Sequence, residues 1–483
     1  ALSLNHHDPL FLRVSGTGSR GGYRGTHNRT GTGYLRRAGR AVPQGGLTMA
    51  RKMKDSGIEW IGEIPEGWEI HRMKSCISQR DGGAWGDEAT GETGDCICLR
   101  IADFDYEHFR FIDSNNLTIR HYASPIIRKL LLQKNDILIE KSGGGEKTPV
   151  GRTVLFDKEY PALFANFMDR LRCSDFILPQ YLQYVFVTFY KNRYTQNYIK
   201  QTTGIQNLDL SSMLADEFVP VPNLNEQKLI VCYLESKCSK IDNLLSKTRS
   251  SIEEYKKLKQ AVITQAVTKG VRGEREMKDS GVEWIGKVPS KWNCIKIKYL
   301  FEIRKRIAGK EGYTVLSITQ TGIKPKNISS NEGQLADSYS NYQLLHFGEF
   351  AMNHMDLLTG WVDISNYNGV TSPDYRVFSL KDTITNHPRY FLYLMQMCYF
   401  NRIFYSMAQG VSNLGRWRLQ SDKFLNCIFP VPSIEEQKEI SDYLDTTCSE
   451  IDKLIAKKEQ LVKELESYKK SLIYEVVTGK REV

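Results

Sequence analysis

Met53-Lys54-Asp55-Ser56-Gly57-Ile58-Glu59-Trp60-Ile61-Gly62-Glu63-Ile64-Pro65-Glu66-Gly67-Trp68 returns as Met277-Lys278-Asp279-Ser280-Gly281-Val282-Glu283-Trp284-Ile285-Gly286-Lys287-Val288-Pro289-Ser290-Lys291-Trp292, identical at 11 of 16 positions. A second pair follows. Pro220-Val221-Pro222 with Asn225-Glu226-Gln227-Lys228 recurs as Pro430-Val431-Pro432 with Glu435-Glu436-Gln437-Lys438. The chain is therefore a tandem duplication that kept its frame. Its two interiors, residues 70–200 and 294–405, share little sequence.

Each copy ends in a long helical pattern. Apolar or small residues fall at Ile230, Leu234, Cys238, Ile241, Leu245, Thr248, Ile252 and Tyr255, stepping by three and four as a heptad seam does. Ile440, Leu444, Cys448, Ile451, Ile455, Lys458, Val462 and Leu465 repeat that register at an offset of 210 residues. Asn223 stands three residues before Glu226, and Ser433 three before Glu436, the spacing of a capping box. Running on to Val267-Thr268 and Val477-Thr478, each helix is predicted at about 44 residues, or roughly 65 Å. Two separate core helices are the alternative, but two long matching seams pack most simply against each other. Met277 follows within ten residues of the first closure, which favours an antiparallel pair, a nearly circular chain and a pseudo-two-fold axis.

Composition is that of an ordinary globular chain: 483 residues, 41% hydrophobic and 25% charged. No apolar run reaches the length of a membrane span, and the ten cysteines form no framework, Cys96-x-Cys98 lacking a second pair at zinc spacing. Free thiols and a cytoplasmic location are expected. Residues 1–48 hold ten Gly and seven Arg with Asp8 as their one acid, a bias that builds no core and predicts disorder in a non-native extension. Met49 or Met53 would then be the natural start. Without that segment Lys+Arg falls to 59 against 55 Asp+Glu, so the formal charge drops from +10 to +4. Any nucleic-acid face must come from local clustering.

In the first interior, Asp136-Ile137-Leu138-Ile139-Glu140 reads as a strand running into Lys141-Ser142-Gly143-Gly144-Gly145-Glu146-Lys147-Thr148-Pro149-Val150-Gly151-Arg152. Three glycines flanked by cations allow a close backbone approach to a partner, or simply a hairpin. Glu146 separates Gly145 from Lys147, so the stretch fails the phosphate-loop pattern. Pro179-Gln180-Tyr181-Leu182-Gln183-Tyr184 and Pro388-Arg389-Tyr390-Phe391-Leu392-Tyr393 predict helices with Pro in the first turn and a core-facing aromatic stripe. Beyond them lie Gln201-Thr202-Thr203-Gly204-Ile205-Gln206-Asn207-Leu208 and Gln409-Gly410-Val411-Ser412-Asn413-Leu414-Gly415-Arg416-Trp417-Arg418. Their amides, hydroxyls and guanidiniums suit base edges, or cap a turn. Asn353-His354-Met355-Asp356 and Ser372-Pro373-Asp374-Tyr375 are further candidates.

The Gly-x-Glu-Trp-Ile-Gly-x-x-Pro-x-x-Trp opening, the Pro-x-Pro and Glu-Gln-Lys pair and the Val-Thr closure, each present twice and in order, make residues 50–483 resemble the specificity subunit of Type I restriction-modification enzymes. The resemblance implies an α+β chain in which two globular α/β target-recognition domains are joined by two long antiparallel coiled-coil helices. Its segments would be 49–222 and 271–432 for the recognition domains, with spacer helices at 223–270 and 433–483. It implies double-stranded DNA as ligand, each domain reading half of a bipartite asymmetric site. It further implies two modification subunits using S-adenosylmethionine to methylate adenine, and restriction subunits using ATP and Mg. The expected DNA-binding residues are Lys141, Ser142, Gly143, Gly144, Gly145, Lys147, Thr148, Arg152, Gln201, Thr202, Thr203, Gln206, Asn207, Asn353, Gln409, Ser412, Asn413, Arg416, Trp417 and Arg418. No cofactor or metal is expected on this chain, for it carries no Asn/Asp-Pro-Pro-Tyr/Phe motif, no glycine-rich cofactor loop and no metal-binding signature. A nuclease joining Pro373-Asp374 to Glu436-Gln437-Lys438 is a poor alternative, because Glu-Gln-Lys recurs at 226–228 with no Pro-Asp upstream. A coiled-coil scaffold without DNA recognition is the other.

Overall fold

The computed structural model describes residues 51–114, 116–201, 204–327, 336–408 and 417–483. Four helices set its frame: α1 (Pro179–Lys191), α2 (Leu224–Lys269), α3 (Pro388–Phe400) and α4 (Ile434–Val477). The two long ones, α2 of 46 residues and α4 of 44, start as the sequence predicts. The Asn223 side chain accepts from Glu226 N at 3.0 Å and Ser433 Oγ from Glu436 N at 3.4 Å, relieving helix-end donors that have no intrahelical partner. In the second copy the Glu436 carboxylate does not return to the cap: it accepts from Trp292 Nε1 at 3.0 Å and pairs with Arg275 at 2.5 Å.

Ion pairs between the long helices fix their direction. Asp242 meets Lys469, Arg249 meets Glu466 and Lys259 meets Asp452, each at 2.7 Å. Numbers that rise along α2 fall along α4, so the pair is antiparallel. The seam is buried from Ile230 to Ile252 and from Ile440 to Ile451, while Tyr255, Ile455 and Lys458 near the centre are half-buried, as expected where two helices have only each other to pack against.

Each helix serves both copies. The first core joins Trp60, Ile64 and Trp68 to Ile230, Leu234 and Ile241 at the start of α2, and to Leu472, Ile473 and Val476 at the end of α4. The second joins Ile285, Val288 and Trp292 to Ile440 and Leu444 at the start of α4, and to Ile263 and Val267 at the end of α2. The two cores therefore occupy opposite ends of the helix pair, and the chain closes on itself. One tyrosine in each copy marks the closure: Tyr181 Oη lies 2.7 Å from Pro220 O and 3.1 Å from Val477 O, and Tyr390 Oη 2.8 Å from Pro430 O and 3.2 Å from Val267 O. Gly479, at φ +72°, ends α4 where a Cβ would lie 2.3 Å from Pro65. Both the left-handed backbone and the close approach require glycine there.

The Gln of each Glu-Gln-Lys does work that capping does not describe. Gln227 is fully buried; its amide donates to Pro222 O and Phe176 O, and its Oε1 accepts from Leu178 N at 2.7 Å. Gln437 repeats this with Pro432 O, Thr385 O and His387 N. Each Gln thus pins the start of α1 or α3 to its long helix.

Beneath their unlike sequences the interiors share one antiparallel sheet. In the first copy its order is Thr153–Leu155, Ile137–Glu140, Met168–Cys173, Ile77–Gly82; in the second, Val362–Ile364, Phe350–Met352, Arg376–Leu380, Phe301–Arg304. The predicted strand before the glycine loop is its inner strand Ile137–Glu140. The aromatic stripes of α1 and α3 are core: Tyr181, Tyr184, Tyr390 and Tyr393 are all buried. Outer layers differ. The first copy adds a four-stranded sheet built on Asp95–Leu99, the second, among the described residues, two two-stranded ribbons.

Candidate nucleic-acid interface

In the first copy the chain leaves Ile137–Glu140 through Lys141 and forms a short strand, Ser142–Gly143, against Gln206–Leu208, which pairs in turn with Ile199–Gln201. Two stretches some sixty residues apart thus become one small sheet, tied by Leu208 N to Lys141 O at 2.8 Å and by Ser142 Oγ to Asn207 Oδ1. Gly145 N closes the glycine loop on Thr148 O at 3.0 Å. At Gly144, φ is +61° and a Cβ would lie 2.8 Å from Val150 N, so this glycine is needed by the turn itself. Gly145 has open space around its Cβ position. Glu146, Lys147, Thr148, Gln201 and Asn207 are exposed, and so are two apolar residues outside the expected DNA-binding set, Phe167 and Ile205. Phe167 O accepts from Lys141 N at 2.9 Å, which ties its backbone to the loop base.

Several expected contact residues turn inward instead. Arg152 is committed to Glu140, Nε to Oε2 at 2.7 Å and Nη2 to Oε1 at 2.8 Å, with its guanidinium 3.7 Å from the Tyr106 ring centroid. Burial opposes that charge, but the Glu140 carboxylate outweighs it and raises the guanidinium's pKa. Gln206 is buried and its Oε1 accepts from Val150 N at 3.3 Å. Lys141 pairs with buried Asp169 at 2.7 Å while keeping a third of its side chain exposed. All three build the loop's base rather than its outer face.

The second copy places His354 where the first has Lys141, since Leu419 N donates to His354 O at 2.9 Å. Arg376 pairs in register with Met352, as Asp169 does with Ile139. Arg376 is buried, its Nη2 donating to Leu419 O at 2.9 Å, and burial pulls its pKa down to about 10. His354, also buried, is pushed down to about 3 by burial and by the Arg376 and Arg418 charges, so it is neutral near pH 7. Asn353 is a turn former: its Oδ1 accepts from Met355 N at 3.2 Å and Asp356 N at 3.3 Å. Arg418 is exposed, and half-buried Trp417 lies against Tyr405 with ring centroids 4.7 Å apart. Thr202, Thr203, Gln409, Ser412, Asn413 and Arg416 lie outside the described residues. Among the described residues no group of three or more His, Cys, Asp or Glu could hold a metal ion, and no helix is long and apolar enough to cross a membrane.

The family comparison, too, finds two copies. Residues 105–254 and 289–464 both match the family described as the Type I restriction modification DNA specificity domain. The chain belongs to this family. Among the relatives of this specificity-domain protein, the Type I restriction enzyme MjaVIII specificity subunit of Methanocaldococcus jannaschii is 24% identical over 371 residues, 73% of this chain and 80% of that one. The StySPI specificity subunit of Salmonella potsdam is 24% identical over 217 residues, 43% of this chain and 44% of that one. A solved chain described under complex assembly and conformational transition of the type I R-M system shares the fold, with a TM-score of 0.64 at 13% identity over 86% of this chain and 99% of that one.

Proposed function

We propose that this chain is the sequence-specific DNA-recognition subunit of a Type I restriction-modification complex, itself non-catalytic, with each copy reading one half of a bipartite asymmetric site. The observation that carries the reading is the contrast between shared frame and divergent faces: the same four-stranded sheet presents a glycine loop with Lys147, Thr148 and Asn207 in one copy, and Trp417 and Arg418 in the other. A scaffold would have no reason to vary the two faces while keeping the frame. The antiparallel helices act as a coiled-coil spacer and as docking ground for two modification subunits. S-adenosylmethionine, ATP and Mg serve partner subunits, which methylate adenine or translocate and cut DNA. Exposed polar side chains and glycines bring backbone and amides to phosphates and base edges.

Mapping methylated adenines in DNA from cells that carry this chain with its cognate modification subunit tests the proposal. One bipartite motif with a fixed spacer is expected, and replacing residues 70–216 by the interior of another family member should change one half-site alone. Methylation without a motif, or turnover by the isolated chain, would overturn it.

A further inference from the structure

At the root of the glycine loop stands a second turn whose two central side chains the fold does not use. Met168 N donates to Ala165 O at 3.2 Å and closes the turn over Asn166 and Phe167. Backbone bonds hold it on both sides. Gly83 N donates to Met168 O at 3.1 Å and Ala84 N to Phe164 O at 3.0 Å, while Phe167 O accepts from Lys141 N at 2.9 Å and Ser142 N at 3.3 Å. Gly83 comes so close that a Cβ there would lie 2.2 Å from Ala165 O. Ala165 and Met168 are buried, which anchors the ends of the turn.

The residues between them face solvent. Phe167 is 49% exposed, packs in none of the hydrophobic cores, and among the described residues meets no other ring and no cation. Asn166 is exposed, and its amide has no partner among the described residues. One exposed apolar residue is ordinary on a protein surface. This one adjoins an unengaged amide, and both are fixed by main-chain bonds to the loop that carries Lys147 and Thr148. In the major groove adenine offers N7 and its N6 amino group, which an Asn amide meets with two hydrogen bonds, and thymine offers its C5 methyl, an apolar group. Those two edges belong to the same base pair.

We propose that the Asn166–Phe167 turn reads one A·T pair of the first half-site, with the Asn166 amide on the adenine edge and the Phe167 ring on the thymine methyl. The inference rests on the reading above and adds residues and a base pair to it. Sheet register shows why the second copy reads otherwise. Asp169 faces Ile139 as Arg376 faces Met352, so Asn166 and Phe167 correspond to Pro373 and Asp374. Both are exposed, and they offer neither an amide nor an aromatic ring. The readout therefore belongs to the first half-site alone.

The chain in complex with its cognate modification subunit is titrated on duplexes carrying the mapped motif. Each thymine of the first half-site is replaced in turn by uracil, which lacks only the methyl, and each adenine by 7-deazaadenine, which lacks the N7 acceptor. At one base pair uracil should weaken binding about fourfold and 7-deazaadenine roughly fivefold. Phe167→Ala should abolish the uracil penalty and keep the other; Asn166→Ala should do the reverse. Neither should alter urea unfolding or the preferences of the second half-site. A first half-site without an A·T pair, uracil tolerated at every thymine, penalties on different pairs, or penalties that survive the matching substitution overturn the role of the turn and leave the recognition reading in place. Uniform weakening on every duplex in Phe167→Ala, as a wedge between base steps or a contact with the modification subunit would give, overturns it too. So does a loss of stability in either variant, which would assign the side chain to packing. Absence of any methylation motif strikes the recognition reading itself, and this inference with it.

Discussion

At one point in the shared sheet the two copies made opposite choices. The first sets Lys141 against buried Asp169, which also takes Arg80 at 2.7 Å; the second puts neutral His354 and buried Arg376 in the same places. Backbone pairing is the same on both sides, with Leu208 N to Lys141 O matched by Leu419 N to His354 O. The frame tolerates the inversion because main-chain bonds fix where the loops begin, leaving side chains free to change sign. What the duplication conserved is position; what it released is chemistry.

Breaking the frame should have the largest effect, and only at one end at a time. Val477 and Val267 are fully buried counterparts that close the first and second cores. Val477→Asp leaves an unpaired charge in the first core, at a cost of about 4 kcal/mol or more. Limited proteolysis should then cut the first copy while sparing the second, and Val267→Asp should give the mirror pattern. Uniform loss of both copies would show that they do not fold as separable cores. Next in size is Arg152→Ala, which strands the buried Glu140 carboxylate and should cost about 3 kcal/mol by urea unfolding. The second copy should answer to acid in its own way. His354 binds its proton at about pH 3 when folded, against 6.5 for the unperturbed side chain, so the unfolded chain gains that proton first. The contribution to stability is complete above pH 6.5 and is lost as pH falls toward 3, by about 5 kcal/mol over the window. His354→Gln should flatten that slope in a pH series of melting temperatures, and an unchanged slope would remove His354 from the account.

The frame was legible because it repeats. Two Trp-Ile-Gly motifs, together with caps and seams that repeat at one offset of 210 residues, fix a closed antiparallel architecture without any knowledge of the interiors. Gln227 and Gln437 hid in plain sight, because an amide in the first turn of a helix reads as surface until its partners, Leu178 and His387 at the head of the next helix back, are known. The common sheet was hidden as well: strands of three to six residues carry too few positions for hydrophobic alternation to outweigh divergence. In the glycine loop the sequence marks the turn but not which way its residues face. A strand register moves alternate residues to opposite sides, so Asn207 is exposed while its neighbour Gln206 is buried. Arg152 reads as a free cation until the fold returns it to Glu140.

The smallest expected effects sharpen the comparison most, because they ask each face about its own half of the DNA. Gly145→Ala adds a methyl group into open space at an ordinary φ, so the fold should accept it while a nucleic-acid backbone seated on the loop would not. Lys147→Ala removes an exposed cation. If that cation meets a phosphate, binding weakens by roughly 1 kcal/mol and the slope of log affinity against log salt falls by about one, with base preferences untouched. Arg418→Ala in the second copy separates the two roles. As a phosphate contact it should behave like Lys147→Ala; as a guanine reader it should relax one position of the second half-site by about 1 to 3 kcal/mol and leave the salt slope nearly unchanged. Titrations of the purified chain on duplexes mutated in one half-site at a time give the answer. Substitutions in the first copy must leave the second half-site's preferences alone, and the reverse. Cross-talk between the two would mean that the faces do not read independently, and the lesson drawn from their divergence would fail.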